Sequence, residues 1–194
     1  RKWVMTSLPR SEVCDRSPVS PHLETLVVDV LDGEGPQALL RLLPLVPQLT
    51  FLDLSSGRDP KPEIEHTLWN HLGKQLTANC KGLEVLDVSR AMTPPQSDQF
   101  ARGLCRHTQI RVLRMGNQHL PSSGMFPTFY KHVCQLPALQ TLELYRGYMS
   151  EVDVDVLLTA LPLATQLTAL NVAHNHVLPH QAIQLITMAG RELP

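Results

Sequence analysis

Histidine and cysteine are common zinc ligands, and the chain has nine histidines and four cysteines. His174, His176 and His180 lie close together, but no carboxylate or cysteine adjoins them to complete a tetrahedral zinc site. His66 and His71 are five residues apart, whereas helical side chains meet at a spacing of three or four. The sequence therefore predicts no metal site.

Catalytic and cofactor-binding motifs are also absent from the sequence. It contains no G-x-x-x-x-G-K-[ST] phosphate loop, no H-E-x-x-H and no G-x-S-x-G. Cys80, Cys105 and Cys134 fall near the ends of predicted helices, where a small apolar residue packs against the next strand. We therefore expect structural thiols, no catalytic residue and no cofactor.

Regularly spaced leucines define the elements that position the remaining polar side chains. The segment 167–177, LTALNVAHNHV, has the spacing L-x-x-L-x-L-x-x-N-x-L of one leucine-rich repeat. Units with this spacing begin at Leu23, Leu49, Leu83, Ile110, Leu139 and Leu167. Their periods of 26 to 34 residues leave room for a short strand followed by a full α-helix.

Apolar residues at helical spacing follow each predicted strand. Pro94 is expected to open one helix, and Ser150 with Asp153 marks the start of another. In the last unit, Ile183 and Ile186 are expected to form the buried stripe. Each unit is thus predicted to be strand, turn, helix, turn.

Residues 21–190 resemble the ribonuclease-inhibitor class of leucine-rich repeats. This class includes sensor arms of nucleotide-binding receptors, the tropomodulin family of actin regulators and several ubiquitin-ligase substrate receptors. The resemblance implies a right-handed α/β solenoid, a horseshoe segment with parallel strands on the concave face and α-helices on the convex face. The sequence departs from the class pattern, because the turn asparagine is in register only at Asn175 and Asn117 is one place early.

The domain boundaries follow from the repeat template. Residues 1–20 match it poorly and are interpreted as an N-terminal flank or degenerate cap, while residues 21–194 form the leucine-rich-repeat domain. The surplus of the longest unit lies in the charged loop 55–65, which is either tolerated variation or a contact loop. No polar cap follows the last unit, so the array or another domain is expected to continue in a longer protein.

Composition favours a protein or peptide as the partner. The net charge of −1 gives no reason to expect nucleic acid or an anionic membrane, and no apolar run is long enough for membrane insertion. No cysteine cluster and no Asn-x-Ser/Thr acceptor marks a secreted array. The sequence therefore predicts an intracellular protein, cytoplasmic or nuclear, and leaves its oligomeric state open.

Residues that flank the buried leucines should point out of the sheet and form the binding face. This face is predicted to be acidic in its N-terminal half, with Phe51 and Tyr145 as anchors. The predicted protein-binding residues are Asp29, Phe51, Asp53, Asp87, Arg114, Glu143, Tyr145 and Arg146. Aspartate is also common at these positions whatever the partner, so a merely solvated sheet face fits the same pattern.

Three functions are compatible with these features. The first is a non-catalytic recognition module, such as that of a ubiquitin-ligase substrate receptor or an innate-immune sensor. The second is regulation of a partner enzyme, as in the GTPase-activating members of this repeat class, through Arg90, Asn117 or Arg146. The third is a structural spacer between two other domains.

Overall fold

A computed structural model describes residues 2–5, 22–28, 35–55 and 65–191, with short strands and helices in alternation. The strands are β1 (Lys2–Met5), β2 (Thr25–Val28), β3 (Phe51–Asp53), β4 (Val85–Asp87), β5 (Val112–Arg114), β6 (Thr141–Glu143) and β7 (Ala169–Asn171). The helices are α1 (Gly35–Leu42), α2 (His66–Asn79), α3 (Pro94–Leu104), α4 (Phe129–Cys134), α5 (Glu151–Ala160) and α6 (Pro179–Arg191). Two 3₁₀ turns, Leu43–Leu45 and Leu161–Leu163, extend α1 and α5.

The strands form one parallel sheet in chain order, from β1 to β7. From β2 to β7, each strand is joined to the next in the same way: one carbonyl oxygen just before the strand accepts two N–H groups of the following unit. The oxygen of Glu24, for example, accepts from Thr50 at 2.9 Å and from Phe51 at 3.0 Å. The predicted alternation of parallel strands and helices is thus confirmed, and residues 2–5 of the predicted flank add a strand beside β2.

The leucine at the centre of each short strand supplies the core. Leu52, Leu86, Leu113 and Leu142 are at most 1% exposed, whereas the residues on either side of each are half-buried. This alternation follows from the two-residue period of a strand, which turns successive side chains to opposite faces. One face of the sheet therefore packs in the core, and the other carries polar side chains.

Helices α2 and α3 approach each other closely at two glycines. A Cβ atom built on Gly103 would lie 2.3 Å from the backbone oxygen of Asn70, and one on Gly73 would lie 2.7 Å from the backbone oxygen of Phe100. The ring of Trp69 meets the ring of Phe100 edge-on beside this contact, at a centroid distance of 5.9 Å. Only hydrogen at both glycine positions permits such close backbone packing.

The predicted helix starts are confirmed, with capping boxes at Thr93 and at Ser150 with Asp153. In such a box, the side chain of the third helical residue accepts a hydrogen bond from the backbone N–H that precedes the helix. The same position in α6 is Gln181, which is fully buried and accepts from the backbone N–H of Leu178 at 2.9 Å. The third residue of each of these helices is therefore buried.

The prediction that Ile183 and Ile186 form the buried stripe of α6 is wrong, because their side chains are 64% and 72% exposed. Leu185 and Met188 pack against the core instead. Helix α6 belongs to the last described unit, so no described unit covers its outer side, and Ile186 lines an open cavity together with Leu185 and Met188. Apolar character alone did not determine which side of this helix is buried.

Candidate protein-binding face

The polar face of the sheet, here called the open face, carries a central row of side chains from β2 to β7. The strand register places Asp53 beside Asp87, Asp87 beside Arg114, and Arg114 beside Glu143. This row consists of Val27, Asp53, Asp87, Arg114, Glu143 and Asn171. It has the order that the repeat spacing predicts, with neighbours about 4.8 Å apart along the sheet.

Arg114 lies between two carboxylates of the central row. Its Nε donates to Oε1 of Glu143 at 3.0 Å, and its Nη1 lies 4.0 Å from Oδ2 of Asp87. The side chain of Arg114 is 36% exposed. Asp53 adds a third carboxylate beside Asp87. Three negative charges and one positive charge therefore leave this row acidic, most of all at Asp53 and Asp87.

The two aspartates also hold the chain as it leaves the strand. Oδ1 of Asp53 accepts from the backbone N–H of Ser55 at 2.8 Å, and Oδ1 of Asp87 accepts from that of Ser89 at 3.0 Å. Asn171 makes the equivalent bond, to the N–H of Ala173 at 3.1 Å. The turn therefore needs a side-chain oxygen at this position and not a charge.

The environment of Asp87 opposes its negative charge. Burial raises the pKa of this carboxyl above its ordinary value, and the neighbouring charge of Asp53 raises it further. Hydrogen bonds from Ser89 and the charge of Arg114 lower the pKa, but the net shift is upward. The folded protein thus binds this proton more tightly than the unfolded chain, so the ionised carboxylate destabilises the fold at neutral pH.

We expect Asp87→Asn to raise the melting temperature at pH 7 by about 1 to 3 °C. The amide keeps the oxygen that accepts from Ser89 and removes the charge. At pH 3, below the ordinary pKa of 3.8, the carboxyl of Asp87 is itself protonated in the native protein. The variant and the native protein should then have the same melting temperature. Thermal unfolding followed by circular dichroism at both pH values measures this. A lower melting temperature for the variant at pH 7 would show that the charge stabilises the fold.

Tyr145 is held in one orientation beside the central row. Its ring lies over Gly116, where a Cβ atom would be 2.3 Å from a ring carbon. Its hydroxyl oxygen accepts from Nδ2 of Asn117 at 2.7 Å. Phe51 is half-buried next to Val85 in the neighbouring strand, and Arg146 is exposed at the turn after β6. Both predicted aromatic residues therefore lie beside a residue of a neighbouring repeat unit.

Part of the predicted site lies outside the described residues, namely Asp29 and residues 56–64 of the loop 55–65.

The structure also shows turn features that sequence reasoning missed. The residues that share a left-handed backbone after successive strands are Arg90, Asn117, Arg146 and His174, with φ between 50° and 59°. Asn117 and His174 are of types enriched in this conformation, but arginine is not, so residue type gave little indication of it at Arg90 and Arg146.

The thiols and histidines are arranged as follows. Burial raises the pKa of Cys80 to about 11 and that of Cys134 to about 12, while Cys105 is half-buried. Among the residues that the structure describes, no three His, Cys, Asp or Glu side chains are grouped so as to hold a metal ion. No helix in the same part of the chain is long and apolar enough to cross a membrane.

Neither protein-family models nor curated proteins give a match to this sequence. Among solved structures, actin-binding site 2 of leiomodin-1 is similar, with a TM-score of 0.61, 13% identity, and coverage of 84% of this chain and 90% of that one. An internalin from Listeria monocytogenes aligns with 12% identity over 85% of this chain and 78% of its own, but with a TM-score of only 0.23. The leiomodin-1 similarity concerns the fold alone, and this fold is leucine-rich-repeat-like.

Proposed function

We propose that this chain is a non-catalytic protein-recognition module of an intracellular protein, of the ribonuclease-inhibitor class of leucine-rich repeats. The open face is then the concave face of a right-handed solenoid, and residues 1–20 are a degenerate cap on its first unit. The contacts to the partner come from Asp29, Phe51, Asp53, Asp87, Arg114, Glu143, Tyr145 and Arg146.

The pairing of Asp53 with Asp87 is the observation that carries this proposal. Like charges directly opposite each other on neighbouring strands are destabilising. The local turns do not require these charges, because Asn171 makes the same backbone bond without one. A lysine or arginine side chain of a partner protein placed over the two carboxylates would offset the repulsion. The free protein thus retains an unfavourable arrangement that a basic partner relieves.

Tyr145 gives the same face a fixed aromatic contact. Because Gly116 and Asn117 hold the ring in place, little side-chain entropy is left to lose when a partner packs on it. A large aromatic residue followed by an exposed arginine, Arg146, is also the composition that dominates binding energy at protein interfaces. Carboxylates and aromatic anchor together favour a protein or peptide as partner.

The test compares proteins captured from cell lysate by the native chain and by the double variant Asp53→Asn/Asp87→Asn. Both substitutions keep the turn bonds, so the variant should remain folded, as circular dichroism can verify. We expect that a partner protein captured by the native chain is not captured by the Asp53→Asn/Asp87→Asn variant. The control is Glu65→Gln/Glu84→Gln, which removes two exposed carboxylates outside the central row and should still capture it.

Capture of the same proteins by both the native chain and the aspartate variant would contradict the role of the central row. Capture of nothing by any form would favour the structural-spacer alternative. The parent protein, whether a ubiquitin-ligase substrate receptor or an innate-immune sensor, would be indicated by the identity of the partner.

The alternative function is regulation of a partner enzyme of the GTPase type. It would use Arg90, Asn117 and Arg146, which occupy three successive left-handed turns at one edge of the sheet. An arginine in trans accelerates phosphoryl transfer by neutralising charge in the transition state. Stimulated GTP hydrolysis by a panel of small GTPases, lost on Arg90→Ala or Arg146→Ala, would favour this alternative over recognition alone.

A further inference from the structure

A second surface lies at the edge of the sheet where β5, β6 and β7 end. We call it the turn edge and define it by His119, Arg146, Tyr148, His174 and His176. Each is exposed, and Tyr148 is 65% exposed. The open face carries carboxylates, whereas the turn edge carries an arginine, three imidazoles and a phenol.

Backbone and ring contacts join the turn edge into one surface. The backbone N–H of Arg146 donates to the oxygen of Ala173 at 2.9 Å, which ties the turn after β6 to that after β7. The rings of His119 and Tyr148 are stacked at a centroid distance of 4.1 Å and an interplanar angle of 15°. The N–H of His176 donates to the oxygen of Met149, next to Tyr148, at 3.2 Å. Three successive units thus contribute adjacent side chains.

The backbone at the turn edge is unfavourable for two of the residues that occupy it. Arg146, Tyr148 and His174 have φ of 50°, 53° and 59°. This left-handed conformation suits glycine, asparagine, aspartate and histidine, so His174 is of a favoured type, whereas arginine and tyrosine are uncommon there. Folding alone would be served better by smaller residues. Tyrosine and arginine held there at a conformational cost point to a use outside the fold.

The carboxylates of the same units are engaged elsewhere or lie on helices. Between residues 110 and 188 there are four. Glu143 pairs with Arg114, Asp153 is buried in the α5 cap, and Asp155 accepts from Gln181. The fourth, Glu151, begins α5. Within the described residues Arg146 forms no ion pair.

We propose that the turn edge is a second binding surface, which takes an acidic segment of a partner protein. Its carboxylates would meet the guanidinium of Arg146 and the N–H groups of the three imidazoles, each of which donates at least one hydrogen bond in either protonation state. The stacked rings of His119 and Tyr148 would pack against apolar parts of the segment. Arg146 borders both surfaces, but the turn edge does not use the acidic central row, which fits a basic partner.

The probe is a fluorescein-labelled peptide rich in glutamate with one central leucine, compared with a peptide in which glutamine replaces every glutamate. Fluorescence anisotropy at low salt measures binding. We expect the native chain to bind only the glutamate peptide, and Arg146→Asn/Tyr148→Asn to weaken the Kd at least about tenfold, as for loss of an interface hot spot. Asparagine is favoured in the left-handed conformation, so the variant should keep or exceed the native melting temperature.

Two controls separate this proposal from simpler effects. Lys131→Asn removes an exposed cation on α4 and should leave the Kd within about twofold, because one distant surface charge contributes little. The variant Asp53→Asn/Asp87→Asn should also bind the glutamate peptide as the native chain does, so failure of the open-face proposal leaves this result unaffected.

The proposal is overturned if neither peptide binds, if the glutamine peptide binds equally well, or if the Arg146/Tyr148 variant retains native affinity. Equal weakening by Lys131→Asn would also overturn it, because only overall charge would then matter. Binding of an oligonucleotide or an anionic lipid vesicle in place of the peptide would assign the turn edge to a different class of partner.

Discussion

Replacing Gly103 with alanine is expected to lower the free energy of unfolding by about 2 to 3 kcal/mol, within the range for overpacked interiors. The added methyl group would lie 2.3 Å from the oxygen of Asn70 and 3.1 Å from the nitrogen of Lys74, both backbone atoms of α2. Backbone cannot move aside as a side-chain tip can, so the two helices must separate. Alanine gains only about 1 kcal/mol in helix propensity over glycine, which is too little to compensate.

Urea denaturation followed by far-ultraviolet circular dichroism measures this loss. Gly82→Ala is the matched control, since Gly82 is exposed and its Cβ would come no closer than 3.9 Å to the oxygen of Leu49. It should change stability by no more than about 0.5 kcal/mol. The double variant Gly73→Ala/Gly103→Ala should lose less stability than the two single variants lose together, because the helices need to separate only once. If Gly103→Ala is as stable as the native protein, helices α2 and α3 can move apart without a loss of stability, which would contradict this prediction.

Replacing Asn175 with alanine is expected to cost about 2 kcal/mol, because one side chain satisfies four backbone groups. Its Oδ1 accepts from the N–H groups of Gly147 and Met149, at 2.9 and 3.1 Å. Its Nδ2 donates to the oxygens of Leu144 and Val172, at 3.0 and 2.9 Å. Asn175 is half-buried, so water can replace some of these bonds, and the expected loss is less than four full hydrogen bonds.

Asn171→Ala provides the comparison for Asn175→Ala in the same denaturation experiment. Asn171 is exposed and accepts a single backbone bond, from Ala173, so its loss should cost no more than about 1 kcal/mol. Equal effects of the two substitutions would mean that the four-bond arrangement of Asn175 contributes nothing beyond an ordinary strand-exit turn.

The strand register and the core of this fold could be predicted from sequence. The spacing L-x-x-L-x-L fixes which side chains are buried, because a slip of one residue would turn every leucine to the wrong face. The order of Asp53, Asp87, Arg114 and Glu143 in the central row then follows directly. The position of Tyr145 over Gly116 could also be predicted, since the two residues occupy the same position in neighbouring repeat units.

Details that depend on the last unit and on the turns could not be predicted in this way. Ile183 and Ile186 are apolar but exposed, because no described unit follows α6 to cover them. Gln118 occupies the position of the turn asparagine, yet only its Oε1 is bonded, to the N–H of Met92 at 3.3 Å, and its Nε2 has no partner. Residue type gave no indication of the left-handed backbone at Arg90 and Arg146, because tertiary hydrogen bonds impose it there.

Among the described elements, contacts occur only within a unit or between adjacent units. Tension applied to the two ends of such a chain would have no long-range connection to resist it. Each unit can detach from its neighbour without disturbing those further along, so extension should proceed in steps, each releasing about one repeat of chain.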